Sequence, residues 1–134
     1  MILQTDRRLL PWTNEYGCAV MSILFLVNKK TGLELSPEII ESYIESGEHC
    51  FTSDKDVYWT KFFRHLGCKV SVKKASRNDP HQDGTFEINK WYNPRTGHSH
   101  FVVGYGEIVC YDPLGESVTC REGYLKDKRV VRFL

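Results

Sequence analysis

The chain has no apolar run long enough to cross a bilayer: the longest, Ala19 to Val27, falls far short of the roughly 20 residues a membrane-spanning helix needs. Its first residues, Met1-Ile2-Leu3-Gln4-Thr5-Asp6-Arg7-Arg8, lack the basic-then-apolar order of a signal peptide. There is no block of like charge, and the formal net charge is +1, which argues against a nucleic-acid-binding arm or a polybasic membrane patch. Cysteine is sparse. Its five positions (18, 50, 68, 110, 120) form an odd set without the dense spacing of a secreted disulfide scaffold, so reduced thiols are expected. No repeat or low-complexity segment is present. These absences point to a protein that stays in the cytoplasm and has neither nucleic acid nor a membrane as its partner.

What is present fits one domain spanning residues 1–134, long enough for a single sizeable core. From Ala19 to Val27 apolar residues occupy every side of a helical wheel, which predicts a central, buried helix ending at Asn28-Lys29-Lys30-Thr31-Gly32. Ser36-Pro37-Glu38 signals a second helix start, followed by Ile39, Ile40, Tyr43 and Ile44 on one face. A third helix is expected from a cap at Ser53 or Asp54, with Trp59, Phe62, Phe63 and Leu66 at i, i+3, i+4 and i+7. Beyond Gly67 the period changes to two. Cys68, Val70 and Val72 alternate with polar residues, as do Phe86 and Ile88; His100–Tyr105 and Ile108–Tyr111 read as a hairpin, with short strands near Val118 and over 129–133. Helices first and an antiparallel sheet second make an α+β arrangement.

The chemistry begins at Glu15-Tyr16-Gly17-Cys18-Ala19-Val20-Met21-Ser22, where a thiol stands at the first turn of the buried helix. The positive end of the helix dipole and unpaired backbone N–H groups favour a thiolate there. Taken singly, a cysteine is more often a small core residue. In Gly97-His98-Ser99-His100-Phe101-Val102-Val103, however, a histidine begins a strand that the next residues drive into the core. Asp112, in Cys110-Tyr111-Asp112-Pro113, ends the strand expected to pair with it, so a two-residue turn brings the carboxylate to the imidazole, there to hold its Nδ1 hydrogen. His98, two residues earlier, competes with His100 for the role of base. Each has a plainer reading as a turn histidine or an Asp-Pro turn; the three in this order are far more specific. His49-Cys50 and His65-x-x-Cys68 have zinc-ligand residue types, but the register of the third helix assigns them to packing, and no metal site is expected. Cys110 and Cys120 have no base near them in sequence and read as filler.

On these residues the sequence resembles the papain-like cysteine peptidases, most closely the compact bacterial branch related to the C39 bacteriocin-processing peptidases. The resemblance implies a papain-like fold with the nucleophile on the central helix, and it assigns Cys18 as nucleophile, His100 as general base and later acid, and Asp112 as the residue that orients the imidazole. It implies hydrolysis of a peptide or isopeptide bond without a cofactor. The pattern departs at one place: the oxyanion-stabilising glutamine expected six residues before the nucleophile is Trp12 here. Gln4 stands far off in sequence, which leaves Asn14 as the side-chain oxyanion donor beside the Cys18 N–H. Two alternatives stay open. One is a phage-type endopeptidase that cuts peptidoglycan peptides and is released to the cell wall; the other is a C39-like peptide-binding module that has lost turnover.

Overall fold

The computed structural model describes every residue from Met1 to Leu134. Five strands, β1 (Val70–Ser76), β2 (Phe86–Asn93), β3 (His98–Tyr105), β4 (Ile108–Tyr111) and β5 (Tyr124–Phe133), form one antiparallel sheet in the order β1-β5-β2-β3-β4. With the main helices ahead of them, the chain is α+β, as its periodicity predicts. No helix is long and apolar enough to cross a membrane.

The first helices are α1 (Pro11–Tyr16) and α2 (Cys18–Thr31). In α2, Val20, Met21, Ile23, Leu24, Leu26 and Val27 are almost completely buried. They share one core with Ile40 of α3 (Pro37–Ser46), Phe62 and Phe63 of α4 (Trp59–His65), and Ile88, Val103 and Val131 of the sheet. Burying each such side chain is worth roughly 1.5–3 kcal/mol, so α2 is a fixed axis and its first residue a fixed point. Ser36 caps α3 by accepting from the Ile39 N–H at 3.2 Å. Of the apolar residues expected on one face of α3, Ile40 is buried but Ile39 is exposed.

Three local expectations are corrected. The six-residue α1 has no periodic signal in the sequence: Pro11 starts it, and fewer than two turns carry too little pattern to mark a helix. The helix expected from Ser53 or Asp54 starts instead at Trp59. Residues 51–57 close a small loop, with Phe51 bridged to Val57, the Thr52 N–H donating to the Asp56 carbonyl at 2.8 Å, and Lys55 in the left-handed region at φ 67°. Finally, the strand expected near Val118 is the short helix α5 (Val118–Glu122), which Ser117 caps by accepting from the Cys120 N–H.

The sheet is covered on both faces. One packs on α2 and carries the main core; the other holds Trp91, Val102 and Leu125 beneath Cys120 of α5. Glu87 and Asn89, whose alternation with Phe86 and Ile88 suggests a solvent face, lie on this second face and are buried, together with Lys128. The segment before β2 closes over them. His81 Nδ1 meets Glu87 Oε2 at 2.6 Å, Lys128 Nζ donates to the Asp79 carbonyl at 2.8 Å, and the Gly106 N–H donates to Glu87 Oε1 at 2.8 Å. Burial alone would raise the Glu87 carboxyl; these donors and the Lys128 ammonium hold it below its ordinary value.

Candidate active site

Gly17 joins α1 to α2, closing the first with its N–H on the Thr13 carbonyl at 3.0 Å and opening the second with its own carbonyl accepting from the Met21 N–H. A Cβ at this position would lie 2.3 Å from the Thr13 carbonyl oxygen, so only glycine lets the two helices abut. That close approach sets Cys18, half-buried, at the first position of the rigid helix.

His100 and Asp112 come together through an irregularity in the β3–β4 hairpin. Tyr105 pairs with Ile108 and Gly104 with Val109, across a two-residue turn whose first residue, Gly106, has φ 59°. Val103, however, pairs with Tyr111, which leaves Cys110 as an extra residue. Such a bulge reverses the facing of everything after it. Tyr111 is thereby turned toward α2, where it stacks on Phe25 with ring centres 4.4 Å apart. Asp112 is turned to the opposite face, the one that carries His100, Trp91 and Val102. His100 Nε2 meets Asp112 Oδ1 at 2.6 Å, with both side chains about 95% buried. The expectation of an Nδ1 contact is corrected: the carboxylate takes Nε2 and leaves Nδ1 as the ring nitrogen available to Cys18.

The carboxylate is itself held by backbone. The Leu114 N–H donates to Oδ1 at 2.9 Å and the Ser117 N–H to Oδ2 at 3.0 Å. Burial opposes its ionisation, but the bonds from His100, Ser117 and Leu114 prevail and bring Asp112 down to about 2. Burial likewise disfavours a charged imidazole. The hydrogen bond to Asp112 and the nearby Cys18 sulfur outweigh it, and His100 is raised to about 9. On the far side of Asp112, burial and the carboxylate, against a hydrogen bond involving Ser117, push the Cys120 thiol up to about 11. Cys120 packs on Trp91, Val102 and Leu125, the core alternative of its reading as filler.

His98 begins β3 exposed to solvent, next to the turn that follows β2, and has no side-chain hydrogen bond; the expected competitor thus stands apart from Asp112. Asn14 is corrected outright. Its amide donates to the carbonyls of Gln4 at 2.7 Å and Asp6 at 3.1 Å, so both hydrogens are spent pinning the N-terminal segment and none is free for an oxyanion. Asn14→Ala is expected to lower stability by about 1–3 kcal/mol through the two stranded carbonyls. Thermal unfolding would show it. Gln4, remote in sequence, is near in space. Buried, it donates from Nε2 to the Asn14 carbonyl at 2.9 Å, while its backbone N–H reaches the Pro113 carbonyl at 2.7 Å, beside Asp112. Trp12 packs edge-on against Phe51. The side-chain donor expected at Asn14 is thus spent, which leaves the backbone N–H of Cys18 from the expected oxyanion pair.

Cys18 opens into a cavity of about 450 Å³ between the start of α2, the 51–57 loop and the sheet, with Trp59 and Phe101 meeting edge-to-face along it. His100 does not line this cavity, so the thiol is the member of the trio that a ligand there meets first. Elsewhere, His49 and His65 contact each other edge-on, Cys50 and Cys68 are buried in the core, and no three histidine, cysteine or acidic side chains come close enough to share a metal ion. No family model, curated protein or solved structure matches the chain.

Proposed function

We propose that the chain is a papain-like thiol hydrolase acting on peptide or isopeptide bonds through Cys18, His100 and Asp112. The observation that carries this reading is an imidazole bonded to a buried, backbone-held carboxylate and raised by the sulfur of Cys18, which opens a cavity at a helix start. In the reaction, Cys18 Sγ gives its proton to His100 and attacks the scissile carbonyl carbon, forming the S–C bond. As the tetrahedral intermediate collapses, the C–N bond breaks and the amine departs with the proton held on His100. A water molecule then gives a proton to His100 and its hydroxyl to the thioester carbon; the acid is released and the thiol restored. Asp112 keeps the ring oriented and stabilises the imidazolium throughout. No step requires a cofactor.

The spent amide of Asn14 favours a second reading, a peptide-binding module of the same fold without turnover, because loss of an oxyanion donor costs on the order of 100- to 1,000-fold in rate. One experiment separates the two. The wild-type protein and a sample whose Cys18 has been blocked with iodoacetamide are incubated with a mixed peptide library and with peptidoglycan fragments, and the products are read by mass spectrometry. Cleavage by the untreated protein alone supports the hydrolase, and names protein or cell-wall peptides as the substrate. Retention of peptides without cleavage supports the binding module.

A further inference from the structure

The cavity at Cys18 is lined by as many cations as carboxylates, but its two half-buried charges, Lys90 and Arg129, are both cationic. Asp127 is the carboxylate of this stretch, and two cations already share it: Arg129 by a short ion pair from Nη1, and Lys74 at 3.7 Å. Lys90, paired with Asp127 by strand register, is a third cation, half-buried in the cavity lining, and no carboxylate lies within 4.0 Å of its ammonium. Its Nζ stands 6.0 Å from the centre of the Phe101 ring. Phe101 is the cross-strand partner of Lys90 and lines the same cavity, on the sheet face opposite to His100. Glu15, Asp54, Asp56 and Lys55 also line the cavity but are exposed, so solvent and salt screen them most. A half-buried ammonium acts at shorter range and through a lower effective dielectric.

We infer that the cavity selects a substrate with a carboxylate close to the bond that Cys18 attacks, received by Lys90. This rests on the proposed hydrolase site. Lys90 is a specificity-determining residue in it and takes no part in bond breaking. The Phe101 ring near the ammonium, with Trp59 against it, suits the methylene stem of an acidic side chain.

Two alkylating agents that differ in charge test the inference without requiring turnover. Iodoacetate carries a carboxylate next to its reacting carbon; iodoacetamide carries a neutral amide in the same place. Both consume the same Cys18 thiolate, so the ratio of their rates at Cys18, mapped by mass spectrometry, cancels any change in thiolate population. Lys90→Gln is expected to lower the iodoacetate-to-iodoacetamide ratio by about fivefold, the size of one exposed-to-half-buried charge contact. Lys90→Arg, which keeps the charge, should restore most of it, and the melting temperature of each variant establishes that the fold is intact. An unchanged ratio in Lys90→Gln overturns the inference. A protein that alkylates with this charge preference yet cleaves no peptide retains the carboxylate site and loses only the hydrolase reading; a Cys18 inert to both reagents overturns both.

Discussion

Replacing His100 with alanine is expected to lower turnover by on the order of 10⁴-fold or more, because in a coupled nucleophile–base pair removing the base costs nearly as much as removing the nucleophile. His98→Ala should leave most of the activity. Both histidines precede the same apolar stretch of β3, but only His100 is buried and bonded to Asp112 at 2.6 Å, whereas His98 is exposed beside a turn. The same pair of variants can be read without a substrate. The iodoacetamide rate at Cys18 should fall in His100→Ala and stay unchanged in His98→Ala, with exposed Cys110 as an internal reference in each sample. An active His100→Ala beside a dead His98→Ala would reverse the roles.

The hairpin shows how much of this site the sequence can carry. His100 and Asp112 are legible as the start of one strand and the end of its partner, and Gly106-Glu107 as the turn between them. The face on which each lands is not legible. A regular hairpin from that turn would set Asp112 opposite Phe101, on the α2 side; the extra residue at Cys110 moves it opposite Val102, on the His100 side. Bulges leave no periodic signal, since one added residue looks the same in sequence as one fewer residue of strand. The same limit explains α5: Ser117 is a good cap, but five residues hold too little pattern to compete with a strand reading of Val118.

Buried charge is the least legible feature of the sequence. Glu87, Asn89 and Lys128 have the residue types of a solvent face, and the strand alternation is regular. They are inside because the 76–85 segment and α5 cover the second face, and because His81 and the Gly106 N–H supply the bonds that a buried carboxylate demands. Asn14 fails for a related reason. Sequence distance to Cys18 suggests an oxyanion donor, but the N-terminal segment folds back between α1 and the Asp112–Pro113 turn and takes both of its amide hydrogens. The central helix and its thiol were readable because a long, wholly apolar helix has only one place to go.

Asp112→Asn should slow turnover by roughly 100- to 10,000-fold, since a neutral amide in this place no longer stabilises the imidazolium. It should also change how stability depends on pH. His100 titrates at about 9 in the folded protein against an ordinary 6.5, so its contribution is complete below about pH 6.5 and is lost as pH rises through about 9. Asp112 titrates at about 2 against 3.8, so its contribution is present above about pH 3.8 and is lost as pH falls through about 2. The ion pair therefore holds the fold best between about pH 4 and 6.5. Asp112 also braces its turn by accepting from Leu114 and Ser117, and asparagine loses part of that bracing at every pH. The two roles separate by subtraction. The difference in melting temperature between wild type and Asp112→Asn should be large near pH 6 and smaller near pH 10, where the imidazole is neutral in both proteins. A difference of the same size at both pH values, together with activity within about tenfold of wild type, would reduce Asp112 to a turn residue and sink the triad.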